Sequence, residues 1–326
     1  MKKTNWAFIG CGKVVLKNKT TPFINKNNTI VGITTTTIKN AKNAKKKLKL
    51  KNCGVYDNVH EMLSKEKVDA IYICTPPKYH YIYLKEIYKY KIPVYVEKPF
   101  VISIDEAKEI NKIYNNHNIP IFVAHYKRLT PKIKKLKKII LKGKIGKITN
   151  IDGIFNRKFD ENLLNNSWIY NKDISGGGRF FDIAPHIFDV IYFIFGEFNY
   201  LKSNVEYEKY KHSCENKVEL SFKIKDISCN LHFNFISNID NDILYIYGEK
   251  GYIKTSINRD MPIYIYDKNR KLKKKIKFKK IKTWGIEAVK QINYFLNNKK
   301  KIINLCDSND ALKIQTYINN SLKNEK

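Results

Sequence analysis

The sequence predicts an α/β protein: an N-terminal doubly wound parallel sheet followed by a C-terminal α+β domain built on a mostly antiparallel, open-faced sheet. Three observations predict it. Short apolar segments alternate with helical periodicity over the first 125 residues, the pattern of βαβ units. The first of these segments ends in a glycine turn, Gly10-Cys11-Gly12. From about Gly146 that alternation stops, and stretches alternating apolar and polar residues take over, as in an antiparallel sheet with one wetted face.

In chain order, apolar strands are expected at residues 5–9, 29–33, 70–74, 93–96 and 121–124. Between them Tyr81, Leu84, Ile87 and Tyr88 recur at helical spacing, and Ser103 with Glu106 forms a capping box ahead of Ala107, Ile110 and Ile113. Ile133, Leu136, Ile139 and Ile140 mark a helix that ends near Gly143. Further strands are expected at 148–155, 218–224, 228–236, 243–247, 252–255 and 262–266, interrupted by a helix over 182–195. Helices over 284–296 and 307–322 close the chain. The expected domains are 1–125 and 126–326, with the last helices able to pack back on the first.

Composition supports a packed chain. Apolar residues make up 43% of the 326 and aromatics 13%, enough for two cores. The longest apolar stretch, 187–198, is shorter than a bilayer span and holds Asp189 and Glu197, so no membrane segment is expected. Met1-Lys2-Lys3-Thr4 runs straight into the first strand, which argues against a secretory leader. Cys11, Cys53, Cys74, Cys214, Cys229 and Cys306 form no CxxC pair, and His60, His80, His117, His212 and His232 are off metal spacing. Neither a disulfide framework nor a metal site is expected, and a reduced cytoplasmic setting is. The formal net charge of +32 raises nucleic acid as a partner. The lysines are spread among Asn, Ile and Tyr rather than gathered in a patch, and Lys45-Lys46-Lys47 and Lys273-Lys274-Lys275 read as solvated faces, so none is expected.

The glycine turn carries the first functional expectation. Gly10 permits a tight strand-to-helix turn, and Gly12 lets the backbone approach a pyrophosphate whose charge then sits on a helix N-terminus. With Lys13 and Val14 this is a Rossmann dinucleotide-binding turn in which Val15 replaces the third glycine. Such a fold ordinarily places an acid at the end of the second strand for the adenine ribose. Here the segment is Ile33-Thr34-Thr35-Thr36-Thr37-Ile38-Lys39, without one. Hydroxyls of Thr35 and Thr36 with Lys39 suit a 2′-phosphate, so the expected cofactor is NAD(P), with NADP favoured.

Further motifs follow in order: Ile73-Cys74-Thr75-Pro76-Pro77 with His80, Glu97-Lys98-Pro99 at a strand end, Gly176-Gly177-Gly178 with Asp182, His186 and Asp189, and a final Asp307-Ser308-Asn309-Asp310-Ala311-Leu312. With the glycine turn they resemble, over nearly the whole chain, the glucose–fructose oxidoreductase, inositol dehydrogenase and rhizopine-catabolism (Gfo/Idh/MocA) family. The resemblance implies a nicotinamide cofactor and reversible oxidation of a hydroxyl on a sugar, polyol or related carbohydrate. It implies Thr75, Pro76 and His80 along the cofactor cleft, Glu97 and Lys98 near the nicotinamide, and Asp182 and His186 facing them from the second domain. It also implies that Tyr126 and Arg128, within His125-Tyr126-Lys127-Arg128, reach the substrate.

The chemistry asks for a group that moves a hydroxyl proton and titrates near neutral pH, and His186 is such a group. Asp182, four residues earlier, shares its helix face and can orient or charge-stabilise the imidazole. Pro185 suits a first helical turn, so the helix is expected to start near Asp182, with the three glycines as a flexible approach and its positive end toward the cleft. Lys98 can stabilise a developing oxyanion or relay a proton, so either Lys98 or His186 can be the principal acid/base; His186 is favoured, with Lys98 as its electrostatic partner. Asp189 either assists or lies behind the site. Trp168 either walls the substrate pocket or packs. Phe180, Phe181, Ile183, Ile187, Tyr192 and Phe193 are expected in the core. The second-domain sheet, with Leu231, Phe233 and Phe235, has one face left over once helices cover the other, which predicts a homodimer or homotetramer. Two other readings fit the same fold: a non-catalytic cofactor-sensing regulator, and a glycosidase that oxidises its substrate transiently with bound NAD.

Overall fold

A computed structural model describes residues 3–12, 16, 21–159, 167–207, 214–281, 283, 285–298 and 304–323. The chain divides into two compact units, Met1–Tyr126 with Ile281–Lys313 and Lys127–Lys280 with Ile314–Lys326.

The first unit holds strands β1 (Thr4–Ile9), β2 (Asn28–Thr34), β3 (Gly54–Tyr56), β4 (Ala70–Ile73), β5 (Val94–Val96) and β6 (Ile121–Val123), with helices α1 (Ile38–Lys47), α2 (Val59–Lys65), α3 (Lys78–Ile87) and α4 (Ile104–Asn116) between them. Fully buried apolar runs such as Ala70–Ile73 are what a sheet covered on both faces requires. Ser103 caps α4, accepting from Glu106 N at 3.2 Å, as the capping pair predicts. Late in the chain α8 (Ile286–Asn298) and the short β15 (Cys306–Asp307) rejoin this unit. The sheet order is β15-β6-β5-β4-β1-β2-β3, parallel throughout except for β15 against β6. The strand order reverses between β1 and β4, and the carboxyl ends of those two strands are where such a sheet opens a binding crevice.

The second unit holds α5 (Pro131–Leu141), β7 (Ile148–Lys158), α6 (Lys172–Ser175), α7 (Arg179–Phe195), β8 (Asn199–Tyr207), β9 (Glu215–Ile224), β10 (Ile227–Ser237), β11 (Asn241–Gly248), β12 (Gly251–Thr255), β13 (Ile263–Asp267) and β14 (Leu272–Ile276). The final helix, α9, spans Ser308–Ser321. The sheet runs β14-β13-β12-β11-β7-β10-β9-β8 and is antiparallel except where β7 pairs with β10. Helix α7 packs on its inner face, where Phe180 meets Phe233 edge-on at 5.0 Å and Phe155 stacks on Phe233 at 4.9 Å. Leu231, Phe233 and Phe235 therefore line the covered face. The opposite face carries Asp152, Ile154 and His232 and, toward β14, two cross-strand rows: Tyr245–Lys254–Tyr264–Lys275 and Tyr247–Tyr252–Tyr266. Lys254 lies over the Tyr245 ring and Lys275 over Tyr264.

The fold is the α/β class that the sequence predicts. Strands β3, β8 and β14 escape the pattern because each is short, polar or lysine-rich. Among the described residues no helix is long and apolar enough to cross a membrane. Among the described residues the six cysteines form no disulfide.

Candidate active site

In the first unit the site is built at the carboxyl ends of β1 and β4. Gly10 N donates to Thr34 O at 2.8 Å and Cys74 Sγ donates to Gly10 O at 2.9 Å, pinning the turn between neighbouring strands. Gly10 has φ +82°, and a Cβ there would lie 2.7 Å from Thr75 Cγ2, so only glycine fits. A Cβ on Gly12 would meet nothing within 4 Å, so the loop backbone lies bare there. Leu16 N donates to Gly12 O at 3.1 Å, so the turn passes directly into a helical bond. Lys13 and Val14 lie outside the described residues. The Thr75 hydroxyl is buried and has no hydrogen-bond partner, a polar group left for a ligand. A bare backbone, a helix start and an orphaned hydroxyl fit a dinucleotide pyrophosphate. Burial pushes the Cys11 thiol up to about 12, which keeps it protonated beside an anion.

At the end of β2, Thr35 Oγ1 donates to Thr37 O at 2.8 Å, and Thr37 caps α1 by accepting from Asn40 N at 3.3 Å. Thr36 and Lys39 are exposed, and the first turn of α1 carries no acid. At the end of β4, His80 is fully buried in α3. Its Nε2 lies 2.9 Å from Thr75 O and its Nδ1 3.1 Å from both Pro99 O and Phe100 O. The imidazole thus ties the Thr75-Pro76 turn to the Glu97-Lys98-Pro99 segment. Burial lowers its pKa, and the surrounding carbonyls oppose that. Glu97 is buried and accepts a hydrogen bond from the Tyr72 hydroxyl. Phe23, Tyr72, Tyr95, Glu97, Tyr126, Gly285 and Val289 line one cleft, and Tyr126 is buried in its wall. Lys98 is half-exposed.

In the second unit the candidate catalytic residues lie on α7. The helix begins at Arg179, three residues before the sequence-based expectation, so Pro185 sits inside it and removes the bond its N–H would make to the Phe181 carbonyl. The early start has a cause that sequence reasoning missed. Glu215, almost completely buried, accepts from Gly178 N at 2.8 and 3.0 Å and from Phe180 N at 2.9 Å, so a distant carboxylate caps the helix. Burial pushes the Glu215 carboxyl up, while those N–H donors pull it back. The positive end of α7 is therefore occupied by Glu215. Gly177 and Gly178 are packing positions rather than a flexible approach: a Cβ on Gly177 would lie 2.9 Å from Phe181 Cδ2, and one on Gly178 would lie 2.9 Å from Cys214 Cβ. No periodicity marks Glu215, the first residue of β9.

Asp182, His186 and Asp189 fall on one stripe of α7 at i, i+4 and i+7. Asp182 and His186 are half-buried, and Asp189 is completely buried. Arg128, 2% exposed, donates through Nε to Asp189 Oδ1 at 2.8 Å, with its second nitrogen 2.5 Å from the same oxygen. The Arg128 guanidinium also faces the Phe193 ring. Arg128, expected to reach a substrate, is thus engaged in holding its turn against α7. Trp168 is 44% exposed, in the turn Trp168–Tyr170.

Comparison with known proteins agrees with the fold. Residues 4–125 match the model of the Gfo/Idh/MocA oxidoreductase family with NAD-binding Rossmann fold, and residues 133–254 match that family's C-terminal domain. The chain is 30% identical over 270 residues to an oxidoreductase of Formosa agariphila, covering 78% of this chain and 79% of that protein. Its fold is similar to that of an aldose–aldose oxidoreductase from Caulobacter crescentus, with a TM-score of 0.84 over 98% of this chain and 96% of that one at 12% identity. A 3-ketoreductase from Actinomadura kijaniata, solved with NADP and TDP-benzene, gives 0.82 over 98% and 96%, also at 12% identity. A pyrophosphate-ready turn at the switch point of a parallel sheet, an antiparallel second sheet and two family domains in the same order make this chain an NAD(P)-dependent oxidoreductase of the Gfo/Idh/MocA family.

Proposed function

We propose that this oxidoreductase moves hydride between NADP(H) and a hydroxyl- or carbonyl-bearing carbon of a sugar, polyol or related carbohydrate. The observation that carries the reading is the Asp182/His186 pair, one helical turn apart on a helix fixed by Glu215 and by Arg128–Asp189. The nicotinamide supplies or accepts the hydride when bound. The remaining proton belongs to His186, which takes it from the substrate hydroxyl during oxidation and returns it during reduction. Asp182 orients the imidazole and stabilises its charged form. Lys98 stabilises the oxyanion as it develops. The likeness in fold to the aldose–aldose oxidoreductase supports a carbohydrate-like substrate. Screening cyclitols, aldoses, anhydro-sugars and nucleotide sugars with both nicotinamides, followed at the reduced-nicotinamide absorbance, tests it. No turnover with any carbohydrate alongside turnover of an unrelated hydroxy compound overturns it.

NADP(H) is favoured because Thr35, Thr36 and Lys39 offer hydroxyls and a cation with no acid among them. The wild-type enzyme is expected to have the higher kcat/KM with NADPH, and Thr35→Asp to shift the preference toward NADH by charge repulsion. A wild type that already prefers NADH by tenfold, about 1.4 kcal/mol, contradicts this.

We also infer that the second-unit sheet pairs with that of another copy, giving a homodimer or homotetramer. Its outer face presents half-buried rings of Tyr245, Tyr247, Tyr252, Tyr264 and Tyr266, an aromatic surface suited to burial against its own like. Sedimentation velocity at micromolar concentration should return a dimer or tetramer, and a strict monomer removes the inference.

A further inference from the structure

The segment that carries Lys98 is anchored at several points, and one anchor comes from deep in the core. Glu97 N donates to Ile73 O at 2.9 Å. Beyond Lys98, His80 holds the Pro99 and Phe100 carbonyls. The Glu97 side chain turns into the aromatic cleft, where the Tyr72 hydroxyl donates to its Oε1. Tyr72 lies in the middle of β4, 1% exposed, with Phe23 stacked on it at 4.8 Å and Tyr95 at 5.3 Å. Such a position calls for phenylalanine on packing grounds alone, yet the sequence places a hydroxyl there.

We propose that Tyr72 is a positioning residue for turnover: its buried hydroxyl holds the Glu97 carboxylate ionised and in place, and that fixed charge sets the surroundings in which Lys98 and His80 work. The inference rests on the reading of Lys98 given above. Burial and the Glu97 charge push the Tyr72 phenol well above its ordinary range, so the proton stays on oxygen and Tyr72 is the donor. The remaining cleft walls are Phe23, Tyr95, Tyr126, Gly285 and Val289. Within this unit the titratable groups around the carboxylate are Tyr72 on β4, Cys74 just past β4, Tyr95 on β5, His80 on α3, Tyr126 and the adjacent Lys98, and α8 contributes Val289 without charge. The Glu97 charge also acts on His80. Without the Tyr72 hydroxyl, a carboxylate in these aromatic surroundings takes up a proton or swings away, and either removes a negative charge beside Lys98 and His80.

Tyr72→Phe removes one oxygen and keeps the ring, so the fold should survive, as circular dichroism will show. The Glu97 titration is read from infrared carboxyl difference spectra of each background against the same background with Glu97→Gln. In Tyr72→Phe it should move up by roughly one to two pH units, the worth of a hydrogen bond to a charged group. The kcat should fall roughly tenfold or more, with a displaced pH–rate profile. Glu97→Gln should reproduce the loss, and Tyr72→Phe added to it should cost nothing further. An unmoved Glu97 titration overturns the proposal. So does a moved titration with kcat within about twofold of wild type and an unmoved profile, or additive losses in the double variant. Lys98→Ala is measured alongside: near-normal turnover there overturns the reading of Lys98, while the infrared titration still decides whether Tyr72 holds Glu97.

Discussion

Replacing His186 with alanine should lower turnover by about two to four orders of magnitude, the usual yield of general acid–base catalysis. The position is suited to that experiment because the imidazole is half-buried on a helix whose fixing groups lie elsewhere, at Glu215 and in Arg128–Asp189. Dinucleotide affinity should barely change, since the proposed partner of the imidazole is the substrate hydroxyl. Asp182→Asn should be milder and should displace the pH profile. If the two residues act as one unit, His186→Ala with Asp182→Asn should cost little more than His186→Ala alone. Additive losses would give Asp182 a separate role, such as holding a substrate hydroxyl. Near-normal turnover in His186→Ala would pass the proton to Lys98.

The second large effect is on stability. Asp189→Ala takes the carboxylate from a guanidinium that is 2% exposed and held through Nε at 2.8 Å. Removing one partner of a buried ion pair costs about 3–5 kcal/mol, because the remaining charge stays desolvated. Urea unfolding should show that loss. Replacing both partners, Arg128→Met with Asp189→Leu, should recover much of it, since no charge is then buried alone. A single-variant loss below about 1 kcal/mol would mean that the pair is reached by water and does not hold the Arg128 turn against α7.

The parallel sheet was legible because its strands are apolar on both faces and separated by helical periodicity, and the glycine turn because only glycine fits beside Thr75. The edge strands were hidden by their own polarity: β14 reads as a lysine run, and lysines on an edge strand are how a sheet avoids pairing further. The helix start at Arg179 was illegible for a different reason. Capping rules look for a local side chain, and the cap on α7 is Glu215, 37 residues away in sequence from Gly178. The burial of Arg128 against Asp189 is hidden because sequence gives charge but not burial. Tyr72 was equally hidden. In an all-apolar strand it reads as core, and only the parallel register of Tyr72 with Tyr95 brings its hydroxyl to a carboxylate two residues further on.

In the proposed function the turn at Gly10–Gly12 seats the cofactor. Calorimetric titration of NADPH and NADH into the wild type and Gly12→Ala tests it most directly. The added methyl meets no protein atom within 4 Å, so the variant should fold normally while the methyl enters the space of a pyrophosphate. Binding to the wild type should be saturable and tighter for NADPH, with at least a tenfold loss in Gly12→Ala, about 1.4 kcal/mol, and an unchanged circular dichroism spectrum. Equal affinity in the two proteins would contradict it.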